Sequence, residues 1–223
     1  MTKLSVVDLG LQNFADAFAI QEETVAARQA GNIPDTLILV EHTPVYTLGR
    51  NADEANVIYS AESLQTHGIE LVRTTRGGQV TYHGPGQLVG YPVINLRERK
   101  QGVLWYVEQL ENMLIETLKA CGIESEAGRK DRGVWIGDNK IAALGVRVTR
   151  HVTMHGFALN VAVNLDDYSG IIPCGIRGKG VTSLHCFKPD ITIEAVKQIL
   201  IDSFCNVFDY GEVELAVNYS KRD

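Results

Sequence analysis

Cys174 lies in a Pro173-Cys174-Gly175 turn, where a rigid backbone presents the sulfur with one side open. A thiol is only slightly ionised at neutral pH, so a nucleophilic cysteine needs an activating group. Local chemistry alone leaves apolar packing open as the alternative for this side chain. That alternative is favoured for the remaining cysteines, which follow or lie within apolar patterns: Cys121, Cys186 and Cys205.

Three side chains are candidates for the activating group: Lys140, His83 and His155. Lys140 follows the turn-like Gly137-Asp138-Asn139 and begins the apolar run 141–146. Partial burial at the mouth of an apolar strand favours the neutral form of an amine and lets it act as a base. A solvated lysine beside a hairpin turn is the alternative.

A glycine-rich segment runs from Arg76 to Gln87 with the sequence Arg-Gly-Gly-Gln-Val-Thr-Tyr-His-Gly-Pro-Gly-Gln. Glycines allow positive φ and bring backbone N–H groups close to a ligand, which suits the wall of a binding pocket. A tight hairpin whose glycines only turn the chain is the alternative. The segment lacks the spacing of phosphate-binding loops, so it does not indicate a nucleotide site.

Composition restricts the class of protein around these groups. The chain has 223 residues, of which 45% are hydrophobic and 22% charged, as in soluble globular proteins. No apolar run is long enough to span a membrane, and the N-terminus reaches Asp8 before a signal-length apolar core develops, so we expect a cytoplasmic protein. A net charge of −6 argues against non-specific nucleic-acid binding. The cysteines and histidines lack zinc-ligand spacing, so no metal site is predicted.

The elements that must position the candidate groups alternate between strands and helices. Periodicity predicts helices near 13–30, 103–121 and 191–208, and strands near 3–9, 36–41, 45–48, 69–74, 133–137, 140–149 and 156–164. Segment 78–96 is predicted as a hairpin with an ordered loop. This order predicts an α+β fold with a mixed, mainly antiparallel sheet flanked by helices. We expect one domain over 1–223, with a small C-terminal subdomain from about residue 190 as the alternative division.

Several motifs, in order along nearly the whole chain, resemble those of the lipoyl(octanoyl) transferases. They are the segment Arg76 to Gln87, the run Lys140 to Gly145, the run His155 to Val161, and Pro173-Cys174-Gly175, with Glu41 to Thr47 as a further match. The resemblance implies the fold of the catalytic domain of biotin and lipoate protein ligases.

The resemblance also implies roles for individual residues. Cys174 would carry the acyl group as a thioester, and Lys140 would activate the thiol and the attacking amine. Substrate would be bound by Arg76, Gly77, Gly78, Gln79, Val80, Thr81, Tyr82, His83, Ala143, Leu144, Gly145, Gly156, Phe157 and Ala158.

The implied reaction transfers octanoyl from acyl carrier protein to a lysine of lipoyl domains, without cofactor or metal. The implied acceptors are the lipoyl domains of 2-oxoacid dehydrogenases and the glycine cleavage H protein. Backbone N–H groups of Gly77-Gly78 or Leu144-Gly145 are candidate oxyanion donors. Basic groups at Arg147 and Arg150, or at Arg129-Lys130, are candidate docking groups for an acidic carrier protein.

Other functions remain open at this point. An ATP-dependent lipoate or biotin ligase would share the fold, but it would not need a nucleophilic cysteine, so the pairing of Cys174 with Lys140 favours the transferase. A non-catalytic acyl-binding protein and a cysteine hydrolase are weaker alternatives.

Overall fold

The computed structural model describes residues 2–128, 131–172 and 179–216. The predicted nucleophile Cys174, with its turn 173–175, and the basic pair Arg129-Lys130 lie outside the described residues. The helices are α1 (Phe14–Gln29), α2 (Ala61–Thr66), α3 (Val103–Ala120) and α4 (Ile193–Phe208). The strands are β1 (Lys3–Gln12), β2 (Asp35–His42), β3 (Val45–Leu48), β4 (Glu70–Arg73), β5 (Val80–His83), β6 (Gln87–Val93), β7 (Glu126–Ala127), β8 (Val134–Ile136), β9 (Asn139–Thr149), β10 (Val152–Asn160), β11 (Gly180–Val181) and β12 (Glu212–Ala216).

The strands form a large sheet and a small one. The large sheet has the order β12-β1-β2-β6-β10-β9-β8-β7, with β11 pairing β9, and the small sheet has the order β4-β3-β5. In the large sheet β1 is parallel to both neighbours and β11 is parallel to β9, whereas the remaining pairs are antiparallel. The predicted α+β fold with a mainly antiparallel sheet is confirmed.

The predicted hairpin over 78–96 is wrong, because its two strands belong to different sheets. Strand β5 pairs with β3 in the small sheet, whereas β6 lies between β2 and β10 in the large one. The chain crosses between the sheets at Gly86, which has φ +84° and whose Cβ, if present, would lie 2.6 Å from the backbone of Ala162. Glycine is required there because a side chain would clash with Ala162 and because the backbone of Gly86 is in the left-handed region.

The β9–β10 hairpin begins its second strand earlier than predicted. Its turn is Arg150-His151, and both residues have positive φ (48° and 68°). Two-residue hairpin turns of this kind normally contain asparagine or glycine, so the turn could not be predicted from arginine and histidine.

Helices cover both faces of the large sheet. Helices α3 and α4 pack on one face in a core that includes Leu39, Phe157, Leu110 and Phe204. Helix α1 covers part of the other face, where Val40, Val89, Tyr91 and Ala158 are buried. Helix α4 therefore shares the main core, and β12 after it extends the sheet along β1. Across the described ranges, no helix is long and apolar enough to cross a membrane.

Candidate active site

A cavity of about 220 Å³ lies between the large sheet and strand β5 of the small sheet. It is larger than the ~150 Å³ apolar cavity that admits benzene, so it can take a short aliphatic chain. Most of the predicted substrate-binding residues line it, together with the predicted base: Arg76, Gly78, Gln79, Val80, Thr81, His83, Lys140, Ala143, Leu144, Gly145, Gly156, Phe157 and Ala158.

Small side chains create the room in this cavity. Ala143 on β9 pairs with Ala158 on β10, which in turn pairs with Val89 on β6. Because side chains alternate along a strand, the larger Leu144 and Phe157 point to the opposite face, where they pack against the α3–α4 core. Two alanines therefore face the cavity where bulkier residues would fill it.

Glycines allow the loop 76–79 to pack directly against β9. The N–H of Gly77 donates to the carbonyl of Val146 at 3.0 Å, so this predicted oxyanion donor is already bonded. A Cβ on Gly145 would lie 3.0 Å from Arg76 Cδ and 3.1 Å from the Gly77 oxygen. Gly78 has φ +88°, a conformation that favours glycine.

Arg76 is buried beneath this loop and ties it to the small sheet. Its Nε and Nη2 donate to Thr47 Oγ1 at 3.1 and 2.9 Å, and Nη1 donates to the Gly77 oxygen at 3.0 Å. These hydrogen bonds stabilise the charged guanidinium group of Arg76 although it is buried. Arg76 thus supplies a fixed positive charge at the inner end of the cavity.

Neutral histidines surround that charge. Burial, with smaller contributions from Arg76 and Arg147, lowers the pKa of His155 to about 3. Burial likewise lowers the pKa of His42 to about 4, and burial with the nearby charge of Arg76 holds the pKa of His83 well below its usual range. At neutral pH these imidazoles are uncharged.

His83 is held in a single tautomer by its neighbours. Its Nδ1 lies 2.7 Å from Gln87 Oε1, and the Gln87 amide nitrogen donates to Asn160 Oδ1 at 2.9 Å. Since Oε1 can only accept, Nδ1 carries the proton and Nε2 is left as an acceptor, 3.4 Å from Thr47 Oγ1. This arrangement suits substrate positioning better than proton transfer, and the substrate-binding role of His83 stays a prediction.

Lys140 lies beside Arg132, whose exposed side chain makes this the more exposed end of the cavity. Its side chain is largely buried, and Nζ donates to the carbonyl of Arg132 at 3.0 Å. The same nitrogen lies 4.8 Å from the centre of the Trp135 ring, within the range of a cation–π contact. Along β9, Lys140 is five residues from Gly145, or roughly 17 Å at the rise of a β-strand.

The structure places two predicted residues differently from the rest. Tyr82 points to the other face of β5, where it donates to Asp167 Oδ2 at 2.7 Å and packs against Tyr46 and Tyr168. Alternation along the strand explains this, since Thr81 and His83 face the cavity. Gly77 contributes through its backbone contact with β9.

Sequence reasoning missed further residues of the lining: Phe14, Val89, Tyr91, Asp131 and Arg132. Val89 and Tyr91 are two residues apart on β6 and therefore share a face of that strand. This spacing could have indicated that both line the same cavity. Phe14 begins α1 within its apolar pattern, and residues 131–132 are charged, so neither pattern indicates a cavity wall. In the described part of the chain, no group of three or more His, Cys, Asp or Glu side chains could hold a metal ion.

Comparison with known proteins places this geometry in a family. Residues 13–205 match the model of the lipoyl protein ligase A/B catalytic domain. Similar proteins include the octanoyltransferase of Alkaliphilus metalliredigens (strain QYMF), 48% identical over 95% of this chain and 98% of the relative. The octanoyltransferase of Gloeobacter violaceus is 45% identical over 93% of this chain and 91% of the relative.

The chain belongs to the octanoyltransferases of the lipoyl protein ligase A/B family. The predicted acyltransferase class is therefore confirmed.

Solved structures agree with this octanoyltransferase at the level of fold. A putative lipoate protein ligase from T. acidophilum with bound lipoic acid superposes with a TM-score of 0.79 at 18% identity, covering 97% of this chain and 88% of that one. The biotin protein ligase of Aquifex aeolicus in complex with biotin and ATP gives a TM-score of 0.56 at 13% identity, covering 92% and 70%. The expected ligase-like fold is confirmed.

Proposed function

We propose that this octanoyltransferase works in two half-reactions, from octanoyl-acyl carrier protein to Cys174 and from Cys174 to a lysine amine of a lipoyl domain. The observation that carries the proposal is the location of Lys140 in the wall of a cavity that the small or apolar side chains of Ala143, Ala158 and Val89 also line. An amine beside an acyl-sized cavity suits a reaction in which the acyl tail is buried and its carbonyl stays near the opening.

In the first half-reaction, Lys140 takes the thiol proton of Cys174 as the sulfur attacks the thioester carbonyl of the donor. The tetrahedral intermediate collapses by breaking the bond to the carrier's sulfur, which leaves as a thiol after receiving a proton from Lys140. One thioester is exchanged for another, so the step is nearly balanced in free energy.

In the second half-reaction, the acceptor amine attacks the Cys174 thioester and loses a proton to Lys140. The carbon–sulfur bond breaks, the sulfur is reprotonated, and an amide forms. Amide formation from a thioester is downhill, so no nucleotide has to drive it. Backbone N–H groups at Gly78 or Leu144-Gly145 are the proposed donors to the oxyanion.

The proposed donor is octanoyl-acyl carrier protein, and the proposed acceptors are lipoyl domains of 2-oxoacid dehydrogenases and the glycine cleavage H protein. A carrier protein that is acidic would be attracted by Arg147 and Arg150, which lie at the turn end of β9. These groups give an enzyme of net charge −6 a local basic surface.

The test against an ATP-dependent ligase is amide formation on a lipoyl domain with nucleotide excluded. We expect product from octanoyl-acyl carrier protein in the absence of ATP, and none from free octanoate alone. Product that requires ATP and free octanoate would contradict the proposal and favour the ligase.

A further inference from the structure

Helix α3 buries a carboxylate beside the loop that contacts Lys140. Glu111 is 2% exposed, although its neighbours on this helix face are apolar. Its Oε1 accepts the N–H of Gly133 at 2.9 Å, and its Oε2 accepts from Arg132 Nη1 at 2.7 Å. A buried carboxylate is tolerated only with such partners. The same two hydrogen bonds hold the loop at Arg132 and Gly133 against helix α3.

The peptide group between Arg132 and Gly133 connects this carboxylate to Lys140. Its N–H points to Glu111, and its carbonyl oxygen accepts from Lys140 Nζ at 3.0 Å. The described residues contain no cis peptide bond, and in a planar trans peptide the N–H and the C=O point in opposite directions. One rigid peptide plane therefore lies between the Glu111 carboxylate and the Lys140 amine.

The surrounding loop is built to hold that plane. Gly133 has φ +132°, and a Cβ there would lie 2.6 Å from the Ala142 oxygen and 3.2 Å from Lys140 Cε. The indole N–H of Trp135 donates to the carbonyl of Asp131, the residue before Arg132, at 3.0 Å. A side chain at Gly133 would displace either the peptide plane or the lysine.

Hydrogen bonds in series polarise one another, and the effect is greater when one end is charged. An anionic acceptor on the peptide N–H increases electron density on the carbonyl oxygen at the other end. That oxygen then holds the Lys140 ammonium more strongly and in a narrower range of positions.

We propose that Glu111 is a positioning residue for Lys140 and acts through the Arg132–Gly133 peptide group. The proposal rests on the function proposed above for Lys140 as the base. Glu111 lies outside the motifs that carry the family resemblance, and it is not among the residues that line the cavity.

The test is Glu111→Gln, which keeps the size of the side chain and removes the charge. We expect the rate of octanoyl transfer at its pH plateau to fall about tenfold, because a less stabilised ammonium is a weaker base. The acid limb of the pH–rate profile should move to lower pH, since the neutral amine is reached sooner. KM for octanoyl-acyl carrier protein should stay within about twofold, because the substrate contacts are unchanged.

Glu108→Gln is the matched control on the same helix. Among the described residues Glu108 pairs with Arg132, whose Nη2 lies 3.9 Å away, whereas Glu111 also accepts the Gly133 N–H. The control should keep the rate within about twofold of wild type and leave the pH profile unmoved. Thermal unfolding of both variants checks that they fold.

A purely structural role would give a different pattern. If Glu111→Gln lowered the rate and raised KM together while the pH profile stayed in place, the proposal would be overturned. If this variant did not fold, Glu111→Asp keeps the charge and should retain the wild-type pH profile at a reduced rate. A shifted profile in Glu111→Asp would also overturn it.

Lys140→Ala separates this inference from the function on which it rests. If Lys140→Ala acylated Cys174 at the wild-type rate, the proposed base would be wrong. If Lys140→Ala were inactive but Glu111→Gln matched Glu108→Gln, only the role of Glu111 would be rejected.

Discussion

The two ends of the cavity hold their ionisable side chains in different surroundings. At the inner end, burial keeps His83 and His155 neutral around the hydrogen-bonded Arg76. At the more exposed end, Lys140 and Arg132 are paired with a carbonyl and a carboxylate. Residue type alone would have assigned the histidines to catalysis and the lysine to the surface. Burial and partners distinguish the two, because desolvation disfavours the charged form of the buried imidazoles, whereas the Lys140 amine lies beside a carbonyl acceptor.

The largest expected effect tests the exposed end. Lys140→Ala should lower the rate of octanoyl transfer by about 1,000-fold, within the range for loss of a general base. Single-turnover transfer measures this directly. Lys179→Ala is the matched control, because Lys179 Nζ also lies over the Trp135 ring, at 4.4 Å, and should change the rate by less than about threefold. Equal losses in the two variants would remove the distinction between these lysines.

Filling the cavity should have the next largest effect. Ala158→Leu places a branched side chain in the cavity. The kcat/KM for octanoyl transfer should therefore fall roughly 100-fold, whereas that for butanoyl transfer should change little. The ratio of the two rates is the measurement, and it is insensitive to a general loss of folded protein. An unchanged ratio would mean that the tail does not lie against Ala158.

The buried, uncharged histidines make the free energy of unfolding depend on pH. The pKa of His42 is about 4 in the folded protein, below the ordinary value of 6.5 in the unfolded chain. As pH falls from 6.5 to 4, the unfolded chain takes up a proton that folded His42 does not, so the free energy of unfolding falls by at most about 1.4 kcal/mol per pH unit for this residue. His42→Gln should make the slope shallower in urea titrations.

Exposed His151 provides the control for that titration. His151→Asn replaces a histidine outside the core, and asparagine tolerates its positive φ, so a change of slope common to both variants would not report on the burial of His42. A slope that did not respond to His42→Gln would show that this imidazole is charged in the folded protein, and the contrast between the two ends would fail.

The smallest expected effect concerns docking. Arg150→Glu should raise KM for octanoyl-acyl carrier protein several-fold at low salt, with kcat unchanged, because rim charges act mainly on association. The effect should diminish as salt is added. Glu70→Lys, an exposed charge change on β4, should leave KM unaltered, and a similar rise in both variants would contradict a docking role for Arg150.

Periodicity predicted the long helices and strands because each buries one face over many residues. It could not show that β5 and β6 join different sheets, since local pattern contains no information on partners. It also missed α2, a helix of six residues, and β12, whose residues are mostly exposed.

The candidate site was partly predictable for the same reason. Motif segments predicted Arg76 to His83, Ala143 to Gly145 and Gly156 to Ala158, but alternation on β5 places Tyr82 on the far side. The role of Glu111 could not be predicted, because a carboxylate in an apolar stripe is explained by partners far along the chain, Arg132 and Gly133.

The most direct test of the central claim is the intact mass of the protein after mixing with octanoyl-acyl carrier protein without nucleotide. We expect one octanoyl adduct that hydroxylamine removes, present in the wild type and absent in Cys174→Ser. In Lys140→Ala the same adduct should form about 1,000-fold more slowly. An adduct that persists in Cys174→Ser, or wild-type kinetics in Lys140→Ala, would contradict the two-step mechanism.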